Sequence, residues 1–420
     1  WGYREQLDRA AVRLPVLHRV KRDRSLAQAT PQTQPAPMDS PNASPFRTIP
    51  LPDQRQRVED QTVEADYRVG VLQPDGQGSL WVGSWQGLAR INPNTGQILA
   101  RIGLPNATVG AIAQDRSGRT WVGTYAGLAR IDPRTGTVTA QNLALPSNRV
   151  LSLLVDQRGY LWVGTDAGLA LINPDRGLLM TTVQNLPGVS ANALTLDVLG
   201  NLWVGTLEGL VQINTASAMI MRRITNLPGT IVQTLASSPW GMLWIGTPAG
   251  LLEADLGIKR SVEFVREPVV NSTTKAGTQR GQQKPRPAQS RKRNAAASKM
   301  SVRTKSTVPT QVRQQVVFSQ NDPQVFRLRM VGQLSGRNVT TVQFDKANTI
   351  WVGTSTGLFR VNPFNGATGG SIPYLPSGRV LSLAPDTGGK LWVGTSEGLA
   401  WVNLDTFQAS PHQGFSQGRP

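Results

Sequence analysis

A tryptophan-centred motif recurs along the chain at an almost constant interval. Residues 161–177, LWVGTDAGLALINPDRG, have close counterparts around six other tryptophans. The motif tryptophans are Trp81, Trp121, Trp162, Trp203, Trp244, Trp351 and Trp392. Neighbouring motifs lie 40 or 41 residues apart, except for one interval of 107 residues before Trp351. A period of about 20 to 50 residues is typical of repeat architectures in which each repeat is one supersecondary unit.

Each repeat is predicted to contain four short β-strands. In the third repeat the apolar runs are residues 150–155, 161–165, 169–172 and about 178–185, with Asp-, Gly- and Pro-containing turns between them. None of the repeats contains a long stretch with helical apolar spacing, which argues against helical or leucine-rich solenoids, and parallel β-helix coils are too short for this period. The sequence therefore predicts an all-β fold, a single seven-bladed β-propeller of four-stranded antiparallel blades.

The residues that recur in every repeat have structural interpretations. The Trp is predicted to wedge between adjacent sheets, and the Gly two residues after it allows blades to approach closely. An Asp stands six residues before the Trp in six of the seven repeats and is predicted to stabilise a hairpin turn. Calcium needs several oxygens that converge on one point, which one Asp per blade does not supply. We therefore expect no metal site and no cofactor.

The propeller is expected over residues 46–410, between a basic, Pro-rich tail (1–45) and a C-terminal tail (411–420). Residues 46–52, FRTIPLP, resemble the end of an outer strand in the first repeat. They are predicted to pair as the outer strand of the last blade, and residues 406–410 are the competing candidate.

Positive charge is concentrated outside the repeats. The formal net charge is +18, and residues 268–315 contain eleven Lys or Arg and no acidic residue. A disordered insertion is predicted over 268–320, because most of this segment is polar and lacks aromatic side chains. Its charge suits an acidic protein or an anionic membrane surface, whereas the lack of rings argues against specific nucleic-acid binding. The basic residues assigned to this role are Lys284, Arg286, Arg291, Lys292 and Arg293.

The residues that vary between repeats are candidates for ligand binding. In a propeller the loops from second to third strands share one face with the loops between blades, and together they ring the mouth of the central channel. The predicted ligand-binding face comprises Trp85, Gln86, Tyr125, Arg149, Asp166, Glu208, Arg337, Arg379 and Glu397. Aromatic rings there suit a sugar or another flat ligand, and guanidinium groups suit anions.

Catalysis finds little support in the composition. The chain has no Cys, which excludes disulfides, thiol catalysis and Cys-ligated metals. Its two histidines, His18 and His412, lie outside the repeats, which removes the usual general base. We expect a protein that is not an enzyme. A hydrolase that uses Asp166, Glu208 or Glu397 as paired carboxylates is the alternative.

The repeat pattern V-x-x-L-x-x-D-x-x-G-x-L-W-V-G-T-x-x-G-L-x-R-I-N resembles the two-component regulator propeller repeat, over about residues 66–257 and 324–405. The resemblance implies a bacterial, extracytoplasmic propeller of the sensor type that binds a small molecule, glycan or protein on its loop face. A weaker resemblance, carried by residues 115–121 (DRSGRTW), is to Asp-box propellers that include photosystem II assembly factors.

Two functions thus follow as expectations. The first is non-catalytic ligand sensing in the periplasm, a lumen or the cell envelope, with a cytoplasmic location left open. The second is an assembly or scaffolding propeller that docks an acidic protein or an anionic surface through its basic insertion.

Overall fold

The computed structural model describes residues 66–104, 108–132, 135–141, 143–268 and 310–416. In these ranges the chain forms twenty-nine β-strands and one short 3-10 helix, Gly332–Leu334. Over the same ranges, no helix has the length and apolar character needed to span a bilayer. The strands form seven antiparallel blades and one separate two-stranded ribbon, which confirms the predicted all-β, seven-bladed propeller.

The first four blades are each built from four consecutive strands. Blade 1 consists of β1 (Val69–Pro74), β2 (Leu80–Ser84), β3 (Gly87–Ile91) and β4 (Ile98–Ile102). Blade 2 consists of β5 (Val109–Gln114), β6 (Thr120–Thr124), β7 (Gly127–Ile131) and β8 (Val138–Gln141). Blade 3 consists of β9 (Val150–Val155), β10 (Leu161–Thr165), β11 (Gly168–Asn173) and β12 (Leu178–Val183). Blade 4 consists of β13 (Ala193–Leu196), β14 (Leu202–Thr206), β15 (Gly209–Ile213) and β16 (Ile220–Ile224).

The fifth blade is interrupted before its outer strand. Its first three strands are β17 (Thr234–Ser237), β18 (Met242–Thr247) and β19 (Gly250–Asp255). The chain then leaves the blade as a ribbon of two strands, β20 (Ile258–Pro268) and β21 (Thr310–Gln320), before β22 (Arg327–Met330) pairs with β19. Both ends of the segment predicted to be disordered (268–320) are strands, because Pro268 and residues 310–320 belong to this ribbon; residues 269–309 lie outside the described ranges.

The sixth blade has three regular strands, β23 (Val339–Phe344), β24 (Ile350–Thr354) and β25 (Gly357–Val361). An isolated bridge between Val361 and Thr368 and a hydrogen bond from Ile372 N to Leu358 O (3.0 Å) replace the predicted fourth strand. Three glycines lie in this segment, at 366, 369 and 370. Glycine weakens a strand because it has no side chain to pack and loses more entropy on ordering.

The seventh blade corrects the predicted closure of the ring. It consists of β26 (Val380–Thr387), β27 (Lys390–Thr395), β28 (Gly398–Val402) and β29 (Ala409–Ser416). The edge of β28 that the sequence assigned to residues 46–52 is occupied by β29, from the C-terminal side. Residues 46–52 themselves lie outside the described ranges. The competing segment 406–410 supplies the start of this strand, which continues into residues predicted as a tail.

The first strands surround the central axis, because each contacts the first strands of both neighbouring blades, including β1 with β26. Polar contacts reinforce the junction between the last and first blades. Ser382 Oγ donates to Val69 O (3.2 Å), and Lys390 Nζ donates to Asn94 O (2.7 Å). The ring therefore closes without exchanging a strand between blades.

Each of the seven interfaces between blades holds one motif tryptophan. Trp162 of blade 3 packs with Leu202 and Val204 of blade 4, and Trp392 of the last blade packs with Leu80 and Val82 of the first. The other five motif tryptophans occupy the equivalent clusters. All seven are at most 6% exposed. The predicted role of the indole as a wedge between sheets is confirmed.

The motif glycine lies against the first strand of the next blade. A Cβ on Gly123 would lie 2.3 Å from Val150 Cγ1, and one on Gly394 would lie 2.8 Å from Val69 Cγ1 across the closing interface. Carbon atoms do not approach this closely without displacement of one of them. The glycine therefore sets how tightly neighbouring blades pack, as predicted.

In four blades the aspartate six residues before the motif tryptophan holds the turn and the indole together, whereas Trp392 Nε1 donates to Thr387 O (3.1 Å) and Trp81 Nε1 has no partner among the described atoms. Asp115 Oδ1 accepts hydrogen bonds from Ser117 N (2.9 Å) and Arg119 N (3.1 Å), and its Oδ2 accepts one from Trp121 Nε1 (2.8 Å). Equivalent bonds join Asp156 to Trp162, Asp197 to Trp203 and Asp345 to Trp351. A buried indole N–H is costly without an acceptor, so this carboxylate stabilises both features.

Blade 5 lacks this acceptor because Ser238 stands where the other repeats have Asp. Ser238 Oγ accepts from Met242 N (2.8 Å), but Trp244 Nε1 is buried without a partner among the described atoms.

We expect Ser238→Asp in a Glu253→Gln background to raise the free energy of unfolding by about 1 kcal/mol relative to Glu253→Gln, measured by urea denaturation. The background is needed because Glu253 stands where Gln212 donates to Asp197 Oδ2 (3.3 Å) in blade 4, and it would repel a new carboxylate. Asp197→Ser is the matched control and should lower the free energy of unfolding by at least as much. A destabilising Ser238→Asp in that background would contradict this account.

Candidate ligand-binding site

A pocket of about 380 Å³ opens at the end of the central channel. Its lining comes from the first strands and the loops between second and third strands of blades 1, 2, 5, 6 and 7. Blades 1 and 2 contribute Arg68, Trp85 and Tyr125 to it. Blades 5 to 7 contribute the polar side chains of Gln233, Asn338, Thr340, Arg379 and Ser396.

The polar and aromatic lining side chains occupy three positions relative to the motif tryptophan. Arg68, Asn338 and Arg379 precede it by thirteen residues, and Gln233 and Thr340 precede it by eleven. Side chains two residues apart in a strand point to the same side, which is here the side facing the axis. The residue between them is a buried Val or Ala in all seven blades. The third position, four residues after the tryptophan, carries Trp85, Tyr125 and Ser396.

Arg68 is held in place by a carboxylate and an indole. Its Nε donates to Asp66 Oδ1 (2.9 Å) and Oδ2 (2.8 Å), and its guanidinium lies 3.6 Å from the centre of the Trp85 ring. The hydrogen bonds to Asp66 raise the pKa of Arg68, and they lower the pKa of Asp66. Arg68 is therefore charged but largely compensated, and it covers one face of Trp85.

Tyr125 is covered in a similar way by Arg149. The Arg149 guanidinium lies 4.4 Å from the centre of the Tyr125 ring, within the range of a cation–π contact. Arg149 does not itself line the pocket. Both aromatic rings thus have one face occupied by an arginine, which leaves their other surfaces as the apolar part of the wall.

Two polar groups in the pocket have unmet bonding capacity. The exposed guanidinium of Arg379 has no ion pair or hydrogen bond with the part of the chain that the structure describes. Only the backbone of Arg379 is bonded: its N–H donates to Ser377 Oγ (3.2 Å), and its carbonyl oxygen accepts from Ser396 N (3.0 Å). Asn338 Oδ1 is buried and likewise has no donor there. Within the same residues, no Asp or Glu lines the pocket. The site therefore combines an uncompensated cation with an acceptor that lacks a donor.

Three of the nine predicted face residues line this pocket, namely Trp85, Tyr125 and Arg379. The other six, which do not line it, are Gln86, Arg149, Asp166, Glu208, Arg337 and Glu397. Gln86 and Glu397 are the second residues of their turns, where only the first residue faces the axis. Asp166 and Glu208 belong to blades 3 and 4, which contribute nothing to the lining.

Arg337 lies beside the pocket, where its Nη1 donates to Thr356 Oγ1 (3.2 Å) and its guanidinium lies 4.8 Å from the Phe359 ring. The five basic residues assigned to the insertion, Lys284, Arg286, Arg291, Lys292 and Arg293, lie outside the described residues.

Sequence reasoning missed Arg68 and Gln233. No Leu-Pro pair precedes Arg68 as one does in most other repeats, and Gln233 lies six residues after Leu227, two positions later than Arg149 and Arg379 in their own repeats. Counting thirteen and eleven residues back from every motif tryptophan would have found both residues.

Comparison with known proteins agrees with this architecture. Residues 103–126, 144–167 and 374–397 match the family model described as Two component regulator propeller. Each matched segment contains the first two strands of a blade, in blades 2, 3 and 7. A comparison with curated proteins finds no match.

Among solved structures, the extracellular domain of a protein named as a hybrid two component system from B. thetaiotaomicron is 19% identical, with a TM-score of 0.55. The similarity covers 83% of this chain but only 40% of that one. Streptogramin B lyase is 11% identical (TM-score 0.53; 80% of this chain and 92% of that chain). Selenomethionine-substituted virginiamycin B lyase from Staphylococcus aureus is 12% identical (TM-score 0.52; 79% and 93%).

At these identities the solved structures establish the fold alone, and the propeller fold supports both binding and catalysis. The repeat itself is more specific, because the family model matches it in three separate blades. The protein is therefore a seven-bladed β-propeller in which three blades match the two-component regulator propeller repeat.

Proposed function

We propose that this protein is a non-catalytic, sensor-type propeller that binds a small anionic molecule in the axial pocket. The observation that carries the proposal is the pairing, in one pocket, of the uncompensated Arg379 guanidinium with the unpartnered Asn338 Oδ1.

The chemistry of these two groups indicates the kind of ligand. A guanidinium presents a planar fork of donors that matches a carboxylate, and such charge-assisted bonds are about twice as strong as neutral ones. The amide oxygen of Asn338 requires a donor, such as a hydroxyl or an N–H. A small carboxylate that also carries a hydroxyl or amino group would satisfy both.

The size of the pocket favours a small molecule over a protein or an extended glycan. Its volume of about 380 Å³ lies near the lower end of ligand sites, which are about 300–1,000 Å³. Trp85 and Tyr125 are 39% and 38% exposed and supply the apolar wall. A glycan would enter only through a terminal acidic sugar.

The residues near the pocket support binding without catalysis. His412 is buried in the last blade, where its Nε2 lies 2.6 Å from Gly96 O, and it does not line the pocket. In the ranges that the structure describes, His, Asp and Glu do not gather in a group of three or more that could hold a metal ion. The lining offers the guanidinium donors, amide and hydroxyl groups that can donate or accept, and apolar walls, which suit recognition.

We also place the propeller outside the cytoplasm. The support is the family of its repeats and the extracellular origin of the similar solved domain. This chain spans 40% of the length of that domain.

Isothermal titration calorimetry with a panel of small carboxylates and their neutral amides tests this function. The panel should include hydroxy acids, amino acids and uronic acids. We expect a carboxylate to bind and its amide to bind much more weakly. Arg379→Gln should weaken binding by at least about tenfold, because a hydrogen bond to a charged group is worth about 1.5–3 kcal/mol.

The matched control is Arg337→Gln, which removes a neighbouring exposed arginine that does not line the pocket. It should leave the affinity unchanged and lower the free energy of unfolding by less than about 1 kcal/mol, since only the bond to Thr356 and the contact with Phe359 are lost. The proposal would be overturned if no carboxylate in the panel binds, or if the two substitutions weaken binding equally.

A further inference from the structure

The ribbon that leaves blade 5 is separate from the axial pocket and has a surface of its own. Its strands β20 and β21 pair over eleven residues, from Ile258 opposite Gln320 to Pro268 opposite Thr310. At about 3.4 Å per residue, the ribbon is about 37 Å long. Neither strand pairs with a strand of the ring.

One face of the ribbon is apolar and exposed. Directly opposite residues in an antiparallel pair share a face, so Val262 and Val316 lie together, next to Phe264 and Val312. Their exposed fractions are 51% for Val262, 44% for Val316, 66% for Phe264 and 56% for Val312. Gln314, opposite Phe264, lies between Val316 and Val312 on this face. Four exposed apolar side chains on one face are unfavourable in water, and a two-stranded ribbon is only marginally stable alone.

The charge around this face indicates what covers it. Arg260 lies on the same face as the apolar side chains. The acidic Glu263 lies on the opposite face, together with Lys259 and Arg313. Residues 269–309, which join the two strand ends, contain ten Lys or Arg and no acidic residue. The occupant is therefore apolar at its contact surface and negatively charged around it.

A second copy of the chain does not meet this requirement, because two ribbons would bring like charges together in a protein of formal net charge +18. An anionic bilayer meets it, since apolar side chains enter the headgroup region while basic residues contact lipid phosphates. The diffuse negative charge of a bilayer also suits residues 269–309, which are basic and contain no aromatic side chain.

We propose that the β20–β21 ribbon docks the propeller on an anionic lipid surface, with Phe264, Val262, Val312 and Val316 in the bilayer interface and Arg260 at the headgroups. This contact involves no pocket residue, so it stands whether or not the axial site binds a carboxylate.

Vesicle flotation of the full chain tests the proposal. Binding should occur on phosphatidylcholine vesicles that contain phosphatidylserine and be much weaker on phosphatidylcholine alone. The double variant Val262→Ser/Phe264→Ser should bind about tenfold less tightly, because exposed side chains can be replaced without loss of core packing but apolar burial in the lipid is lost. The control Met219→Ser/Met221→Ser, which changes exposed apolar residues at the rim of blade 4, should bind like the parent.

A second measurement separates insertion from simple charge attraction. Because the chain has no Cys, Phe264→Cys and Met219→Cys can each carry a single environment-sensitive fluorophore. On anionic vesicles we expect a blue shift at position 264 and none at 219. Three results would overturn the proposal: equal binding by the Val262→Ser/Phe264→Ser variant, salt-sensitive binding without a blue shift at 264, and binding to an acidic polypeptide but not to vesicles.

Discussion

Replacing Trp162 with alanine is expected to lower the free energy of unfolding by about 3–5 kcal/mol. The indole is fully buried between blades 3 and 4, against Leu202 and Val204, and its Nε1 donates to Asp156 Oδ2 (3.1 Å). Removal leaves a cavity in a closed ring that cannot collapse around it, and it strips the buried carboxylate of a donor. Urea denaturation followed by circular dichroism measures the loss.

The control for this prediction is Trp85→Ala, which removes an indole that is 39% exposed and lies in a loop. It should change the free energy of unfolding by less than about 1 kcal/mol, because little packing is lost. If Trp85→Ala and Trp162→Ala destabilise the protein equally, the motif tryptophans are not the wedges of the ring.

Truncation of the chain before residue 408 is expected to destabilise the ring by more than about 4 kcal/mol. The deletion removes β29, which buries Phe415 and His412 and pairs with the edge of β28. It also removes two contacts to blade 1, between His412 Nε2 and Gly96 O and from Arg101 Nη2 to Gly414 O (3.0 Å). Thermal unfolding and limited proteolysis of the first and last blades measure the effect.

Arg101→Ala is the milder control, since it removes one exposed hydrogen bond at the same junction and should cost less than about 1 kcal/mol. A truncated protein as stable as the full chain would show that β29 does not close the last blade.

The sequence predicted the propeller architecture because the residues that build each blade recur at the same positions in every repeat. Gly123 and Trp162 each have six counterparts at the same spacing, so a structural role inferred for one repeat applies to all seven. The closing strand has no such support. It contains Pro411 and Gly414, which are unfavourable in strands, and it forms only because β28 offers a free edge.

The pocket was only partly predictable, for a geometric reason. Trp85, Tyr125 and Arg379 could be named because their positions relative to the motif place them at the channel mouth. Asp166 and Glu208 lie away from the pocket because blades 3 and 4 do not line it. Which blades line the pocket depends on the arrangement of the whole ring. The sequence also contains no sign that Arg68 is compensated by Asp66 whereas Arg379 is not.

The ribbon could not be predicted from the local composition of the chain. Residues 268–320 are mostly polar and basic, which favours disorder when they are considered alone. Val262 and Phe264 precede this segment, and Val312 and Val316 lie near its end, so the apolar face exists only when strands about fifty residues apart pair. Because the apolar residues of this face come from two distant segments, the composition of neither segment alone indicates the face.

The claim that repeated residues hold the ring while varied residues bind the ligand is tested most directly by a crystal structure with the tightest carboxylate of the titration panel. We expect its carboxylate within hydrogen-bonding distance of the Arg379 guanidinium, a hydroxyl or amino group directed at Asn338 Oδ1, and the seven motif indoles unmoved between the blades. Density for the ligand on blades 3 and 4, near Asp166 or Glu208 and away from Arg379, would contradict the claim.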